Sequence, residues 1–304
     1  MTNPAARFPM SGSAPIEDPG VPGKRVRLNA AALSDRGYVR ESNEDAYVIF
    51  RIGRYLERVD SSIPEDELPS RYEEAGHVMV VADGLGGHEA GDVASRTALV
   101  TTLRLILRAP RWALKLDDPA TRESEIRGLL ARSKSYLASI HAALREQASA
   151  DARLAGMGTT LTGAYSVGAD LFVLHVGDSK AYLLRDGALA KITRDHTVAQ
   201  EYADRGIIAQ EEVPNHHMHH VLTRAVGGPE ETLEGDMHHL QVVHGDRLLL
   251  CSDGLTDLVA EEEIAAILRN FPADDAACRS LVDLALERGG RDNVTVIVAS
   301  FAVG

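Results

Sequence analysis

The chain has 304 residues, 44% of them hydrophobic and 25% charged, which is enough apolar material for a sizeable core and excludes a wholly disordered chain or a disulfide-stapled miniprotein. An excess of 45 acidic over 32 basic side chains leaves a net charge of −13, and aromatics make up 5%. Both features argue against a nucleic-acid surface, and the charge argues equally against binding an anionic membrane. Cys251 and Cys278 cannot make a disulfide framework. No apolar run reaches the ~18 residues needed to span a bilayer. The N-terminus has no apolar segment of the secretory kind, so the expected location is the cytoplasm.

Residues 1–27, rich in Pro, Gly, Ser and Ala, read as a flexible tail, and the folded domain is expected over 28–304. A strand is predicted over Ala46–Ile52, followed by a long polar loop containing Pro64 and Pro69. The apolar run His77–Ala82 reads as a buried strand that meets a turn at Asp83-Gly84. Helical spacing follows over residues 91–108, where Val93, Leu99, Val100, Leu103 and Leu107 share a face, and over 122–149. Short strands are then predicted at Thr159–Val167, Asp170–Val176 and Lys180–Arg185, with an Asp186-Gly187 hairpin turn. Buried strands at Arg247–Cys251 and Asn293–Ser300 bracket helices at Ala260–Asn270 and Asp274–Arg288. This order predicts an α/β sandwich, with sheets packed together and helices outside.

Aspartates recur where apolar runs end. Asp83 follows VMVVA, Asp178 follows LFVLHVG, Asp253 follows RLLLCS, Asp292 precedes NVTVIV, and Asp45 opens another strand. One such Asp is ordinarily a turn former or a cap. Several on one edge of a sandwich would raise one another's pKa, and hard divalent cations held by oxygen ligands are the usual compensation.

The chain resembles the bacterial metal-dependent serine/threonine phosphatases of the PPM (type 2C) family. The resemblance is carried by GYVRESNED (37–45), ADGLGGH (82–88), GMGTTL (156–161), HVGDSK (175–180), RDHT (194–197), VLTRAVG (221–227), CSDGL (251–255) and GRDNVT (290–295), in family order. It implies an α+β fold, a four-layer αββα sandwich in which helices flank two antiparallel sheets. It also implies hydrolysis of phosphoserine and phosphothreonine on proteins by a metal-activated water, with no covalent enzyme intermediate. The cofactors implied are two Mn²⁺ or Mg²⁺ ions and a third, weaker one. By the same resemblance, Asp83 bridges the two metals and the Gly84 carbonyl adds a ligand. Asp253 and Asp292 complete the second metal, Asp178 with Asp253 serves the third, and Asp45 beside Glu44 holds a metal directly or through water. Arg40 grips the substrate phosphate with its guanidinium fork, and His196 is a candidate on the substrate side. Two positions depart from the pattern: Leu85 stands where animal members carry a His proposed as general acid, and Lys180 where Arg is frequent.

The implied partners are phosphorylated proteins, including a Ser/Thr kinase or its substrates, with no nucleic acid and no membrane span; a monomer and a link to type VI secretion control are further expectations. Rival readings are a phosphatase fold that only docks, which ought to have lost its aspartates; a stress-signalling phosphatase, which ordinarily carries a sensor domain longer than residues 1–27; and a metallonuclease, which the −13 charge disfavours. His88 and the Thr159-Thr160 pair read as structural. The run His216-His217-Met218-His219-His220 could hold a transition metal, but lacks a Cys or carboxylate partner at matching spacing and reads first as a polar flap.

Overall fold

The computed structural model describes residues 26–64, 67–68, 71–86, 90–109, 116 and 119–304. In chain order its elements are β1 (Val26–Asp35), β2 (Asp45–Glu57), β3 (Arg71–Leu85), α1 (Ala90–Arg108), α2 (Pro119–Ala150), β4 (Gly158–Thr159), β5 (Leu161–Val167), β6 (Asp170–Val176), β7 (Lys180–Arg185) and β8 (Ala188–Lys191). There follow α3 (Val198–Asp204), β9 (Asp236–Gln241), β10 (Arg247–Cys251), α4 (Asp253–Thr256), α5 (Glu261–Asn270), α6 (Asp274–Glu287) and β11 (Val294–Val303).

Two antiparallel sheets result. The first runs β1-β11-β10-β7-β8, and the second β2-β3-β5-β6-β9, with β4 paired to β3. The alternation of side chains along a strand sorts most of the buried apolar residues of the described chain into three large cores, beside a small cluster of Leu116 and Phe172. On β10, Leu248 and Leu250 point between the sheets, while Leu249 and Cys251 point to α5 and α6. On β11, Ile297, Ala299 and Phe301 face the other sheet, while Val294, Val296 and Val298 face the helices. On β3, Met79 and Val81 join the inter-sheet core, while Val78, Val80 and Ala82 meet α1 and α2. Both faces of these central strands are covered, which is why they read as continuous apolar runs rather than as alternating ones. The fold is a four-layer αββα sandwich.

The differences from expectation lie at the edges. β1 begins at Val26, two residues inside the expected tail, and pairs along its whole length with β11. The remainder of that tail lies outside the described residues. β2 and β3 extend beyond their apolar runs as a long ribbon to Glu57 and Arg71, so the polar loop is shorter than expected. The Thr159–Val167 segment divides into β4 and β5, with Thr160 between them. The Asp186-Gly187 turn joins β7 to β8 with both residues at positive φ (50° and 78°), the geometry of a type I′ hairpin.

Candidate metal centre

The aspartates stand at one edge of the sandwich because the strands that carry them end there. Asp45, the first residue of β2, is the register partner of Asp83 near the end of β3. Asp178 lies in the turn between β6 and β7, Asp253 opens α4 directly after β10, and Asp292 precedes β11. The sheets are tied together at this edge through a buried hydroxyl. Ser252 Oγ donates to Asp45 Oδ2 at 2.7 Å and accepts from the Thr295 amide at 3.0 Å. Asp83 is fixed through its backbone: its N–H donates to Thr160 Oγ1 at 2.9 Å, and its carbonyl accepts from the Thr160 amide and from Thr159 Oγ1, each at 2.8 Å. The paired threonines thus hold the backbone of Asp83.

Backbone crowding explains the glycine after two of these aspartates. A Cβ at Gly84 would stand 2.1 Å from the Gly91 carbonyl oxygen, and one at Gly254 would stand 2.1 Å from that of Asn293. Gly84 is buried, and its amide donates to the Glu44 carbonyl at 3.2 Å. Asn293 organises the 36–44 loop: its Oδ1 accepts from the Glu44 amide at 2.8 Å, and its Nδ2 donates to the carbonyls of Arg36 and Ser42, each at 2.9 Å. That loop carries Arg40, whose Nη2 donates to Asp292 Oδ2 at 2.6 Å.

The carboxylates are close enough to oppose one another's ionisation. Burial pushes Asp83 well above the usual carboxylate range, and Asp45, Asp253, Asp178 and Asp292 add to the rise. Burial pushes Asp45 to about 7, against hydrogen bonds from Ser252 and Thr295 and with help from Asp253 and Asp292. Asp178 is likewise raised, by burial and then by Asp253, with Lys180 opposing. Burial works against the Lys180 ammonium too, but Asp195, Asp178 and Asp253 hold its pKa above the ordinary lysine value. Lys180 Nζ donates to the Asp178 carbonyl at 3.0 Å and lies 3.5 Å from Asp195 Oδ2. Arg40 and Lys180 stand beside this concentration of negative charge. Within it, Asp45 Oδ1 is buried with no hydrogen-bond partner. A buried carboxylate oxygen without a donor is costly, and an all-oxygen donor set suits hard divalent cations. The residues fit Mn²⁺ or Mg²⁺.

His196 sits buried among polar partners. It is 6% exposed, its Nδ1 accepts from the Gly177 amide at 3.1 Å, and its Nε2 lies 3.3 Å from both Asp236 Oδ2 and Arg224 Nη1. Accepting on Nδ1 puts the proton on Nε2, directed to Asp236. Burial lowers the pKa of His196 against the pull of Asp236. His88 lies outside the described residues. Ser252 and Asn293 both fall within the CSDGL and GRDNVT runs, but nothing in their local sequence shows a partner some 207 or 249 residues away.

Residues 57–282 match the sequence model of the family Protein phosphatase 2C. Serine/threonine protein phosphatase PstP of Mycobacterium tuberculosis is 37% identical over 272 residues, which cover 90% of this chain but 45% of that protein; the chain spans about half the length of this relative. The crystal structure of the catalytic domain of PstP in complex with two manganese ions superposes with a TM-score of 0.70 at 35% identity, covering 91% of this chain and 100% of that domain. PppA of Pseudomonas aeruginosa, described as a key regulatory component of T6SS, superposes with a TM-score of 0.67 at 33% identity, covering 90% and 97% of the two chains. In sequence and fold alike, the chain belongs to the protein phosphatase 2C family.

Proposed function

We propose that the chain is a metal-dependent protein phosphatase that hydrolyses phosphoserine and phosphothreonine on proteins and opposes a bacterial Ser/Thr kinase. The observation that carries this reading is the convergence of Asp45, Asp178, Asp253 and Asp292 on Asp83, with one buried carboxylate oxygen of Asp45 left unpartnered. Asp45, Asp83, the Gly84 carbonyl, Asp253 and Asp292 would hold two ions, Mn²⁺ or Mg²⁺ as in the manganese-bound PstP domain, and Asp178 with Asp253 a third. Such ions supply the activation of water as nucleophile and the neutralisation of charge on the phosphoryl group.

The chain's own residues position the reaction. Arg40 grips the phosphate with the part of its fork not turned to Asp292, and its loop is steadied by Asn293. Thr160 holds the backbone of Asp83, and Ser252 holds the carboxylate of Asp45. His196 acts as a positioning residue: it links the Gly177 turn, next to Asp178, to Asp236 and Arg224, and does not touch substrate. Leu85 has no proton to give a leaving group, so protonation falls to another donor. A monomeric, cytoplasmic enzyme is in keeping with this reading. No helix among the described residues is long and apolar enough to cross a membrane, and the likeness to PppA supports a role in secretion control.

The test is phosphate release from a phosphothreonine peptide. Turnover is expected to require added Mn²⁺ or Mg²⁺. Asp83→Asn is expected to lose more than the ~10–100-fold typical of residues that only support a ligand. Full turnover in chelator, or near wild-type turnover by Asp83→Asn, contradicts the proposal.

A further inference from the structure

The histidine run beyond α3 has a carboxylate partner that its sequence spacing conceals. The two ends of the segment from Thr197 to Leu222 are tied together: Thr197 bridges Leu222, Val198 N–H donates to the Val221 carbonyl at 2.9 Å, and Thr223 N–H donates to the His196 carbonyl at 2.9 Å. Its far end is a short helical turn, Gln210–Asn215, that delivers the histidines in a fixed order. The Met218 amide donates to His216 Nδ1 at 3.2 Å, and the His219 amide donates to the His216 carbonyl at 3.0 Å. The Val221 amide donates to the Met218 carbonyl at 3.1 Å. This closes the 216–221 backbone into consecutive turns and brings the His219 and His220 rings to a centroid separation of 3.5 Å.

These two rings meet the end of α4. His220 Nδ1 is 3.6 Å from Asp257 Oδ2 and 3.9 Å from Asp253 Oδ2. One ligand atom from each of His219, His220 and Asp257 lies within 4.8 Å of the other two. Tetrahedral zinc with bonds of about 2.0–2.1 Å separates its ligands by about 3.3 Å, so side-chain torsion at two exposed residues and one half-buried residue closes the set. His219 also has an orienting partner. Its Nδ1 is 2.6 Å from the His216 carbonyl, so Nδ1 carries the proton and the lone pair is left on Nε2, the arrangement that fixes the tautomer of a metal-binding imidazole. Two imidazoles and one carboxylate differ in kind from the all-carboxylate centre next to them. Imidazole selects zinc and its neighbours in the transition series over Mn²⁺ and Mg²⁺.

We propose that His219, His220 and Asp257 form a binding site for one transition-metal ion of the zinc class, which fastens the 197–222 flap to the end of α4 beside the carboxylate centre. A flap tied down at this point hangs over Asp253. Its capture by zinc restrains the segment that a phosphoprotein would have to displace. The site itself depends only on these three side chains, whereas its regulatory consequence rests on the phosphatase reading.

The test separates the two. The full chain, kept in excess Mn²⁺ to occupy the carboxylate centre, is dialysed against a zinc buffer and its metal content is measured. Wild type is expected to retain one zinc ion per chain more than the His219→Gln/His220→Gln double variant, and one more than Asp257→Asn. Asp178→Asn, altered in the proposed third carboxylate site, is expected to keep that zinc. Zinc is also expected to slow tryptic cleavage after Arg205, exposed at the end of α3, by several-fold in wild type and not in the double variant. Equal zinc content in wild type and the double variant overturns the site, as does loss of the extra zinc in Asp178→Asn alone; unchanged cleavage overturns the fastening. Should Asp257→Asn fail to fold, the double variant on the flap decides. Neither readout involves turnover, so a failed site and a failed phosphatase reading remain distinguishable.

Discussion

At the scale of single residues, the site is governed by the cost of ionising buried carboxylates side by side. In the metal-free chain the folded-state pKa of Asp45, about 7, lies above the ordinary carboxylate value of 3.8. The folded state therefore holds an extra proton between those values. The penalty for ionising Asp45 is absent below about 3.8, grows as pH rises, and is complete above about 7. Asp83 and Asp178 are raised in the same direction. Bound divalent ions remove that penalty, so the gain in Tm on adding Mn²⁺ to chelator-stripped protein is expected to be larger at about pH 8 than at about pH 5.5. A gain independent of pH contradicts this picture. Ser252→Ala deletes the donor to Asp45 Oδ2 and the acceptor of the Thr295 amide in a fully buried setting. It is expected to cost about 1–3 kcal/mol in chemical denaturation and to weaken Mn²⁺ binding. Arg40→Ala is expected mainly to raise KM for a phosphopeptide, since a phosphate clamp binds ground and transition states alike. A large fall in kcat at unchanged KM would place its action in the transition state instead.

At the scale of elements, the loops between strands do the positioning, and Asn293 dominates the one that carries Arg40. Asn293 carries three hydrogen bonds to the 36–44 loop, so Asn293→Ala is expected to raise KM by loosening Arg40 and to destabilise the fold by about 1–3 kcal/mol. Steady-state kinetics on the folded variant, with its denaturation curve, checks both. The elements most legible in the sequence were those with unbroken chemistry. Arg247–Cys251 and the Asp186-Gly187 hairpin stand where their apolar run and turn residues put them. β9 was hidden because Asp236, His238, His239 and Gln241 give an edge strand no apolar signature; its existence depends on pairing with β6. The polar outer half of the β2–β3 ribbon was hidden for the same reason. The aspartates were visible as strand-end residues, and the family resemblance identified them as a set. Their supports, Ser252, Asn293 and Thr160, depend on partners brought near only by the fold. The pairing of His220 with Asp257, 37 positions apart in sequence, was invisible for that reason too.

At the scale of the whole molecule, the αββα arrangement makes the site a meeting of two sheets. Asp45 and Asp83 come from one sheet, Asp253 and Asp292 from the ends of strands in the other, and Asp178 from the β6–β7 connection that crosses between them, so each sheet alone holds an incomplete set. Ion binding should therefore couple to the packing of the sheets, whose shared core contains Met79, Val81, Leu248, Leu250 and Ile297. The measurement that bears most directly on the central claim is calorimetric titration of Mn²⁺ into the chelator-stripped full chain, wild type beside Asp83→Asn. The account predicts that wild type binds two ions per chain with a further weak site, and that Asp83→Asn, correctly folded by circular dichroism, loses binding at both strong sites together, as expected if one residue serves both. Absence of binding by wild type, or an unchanged isotherm in Asp83→Asn, would contradict it.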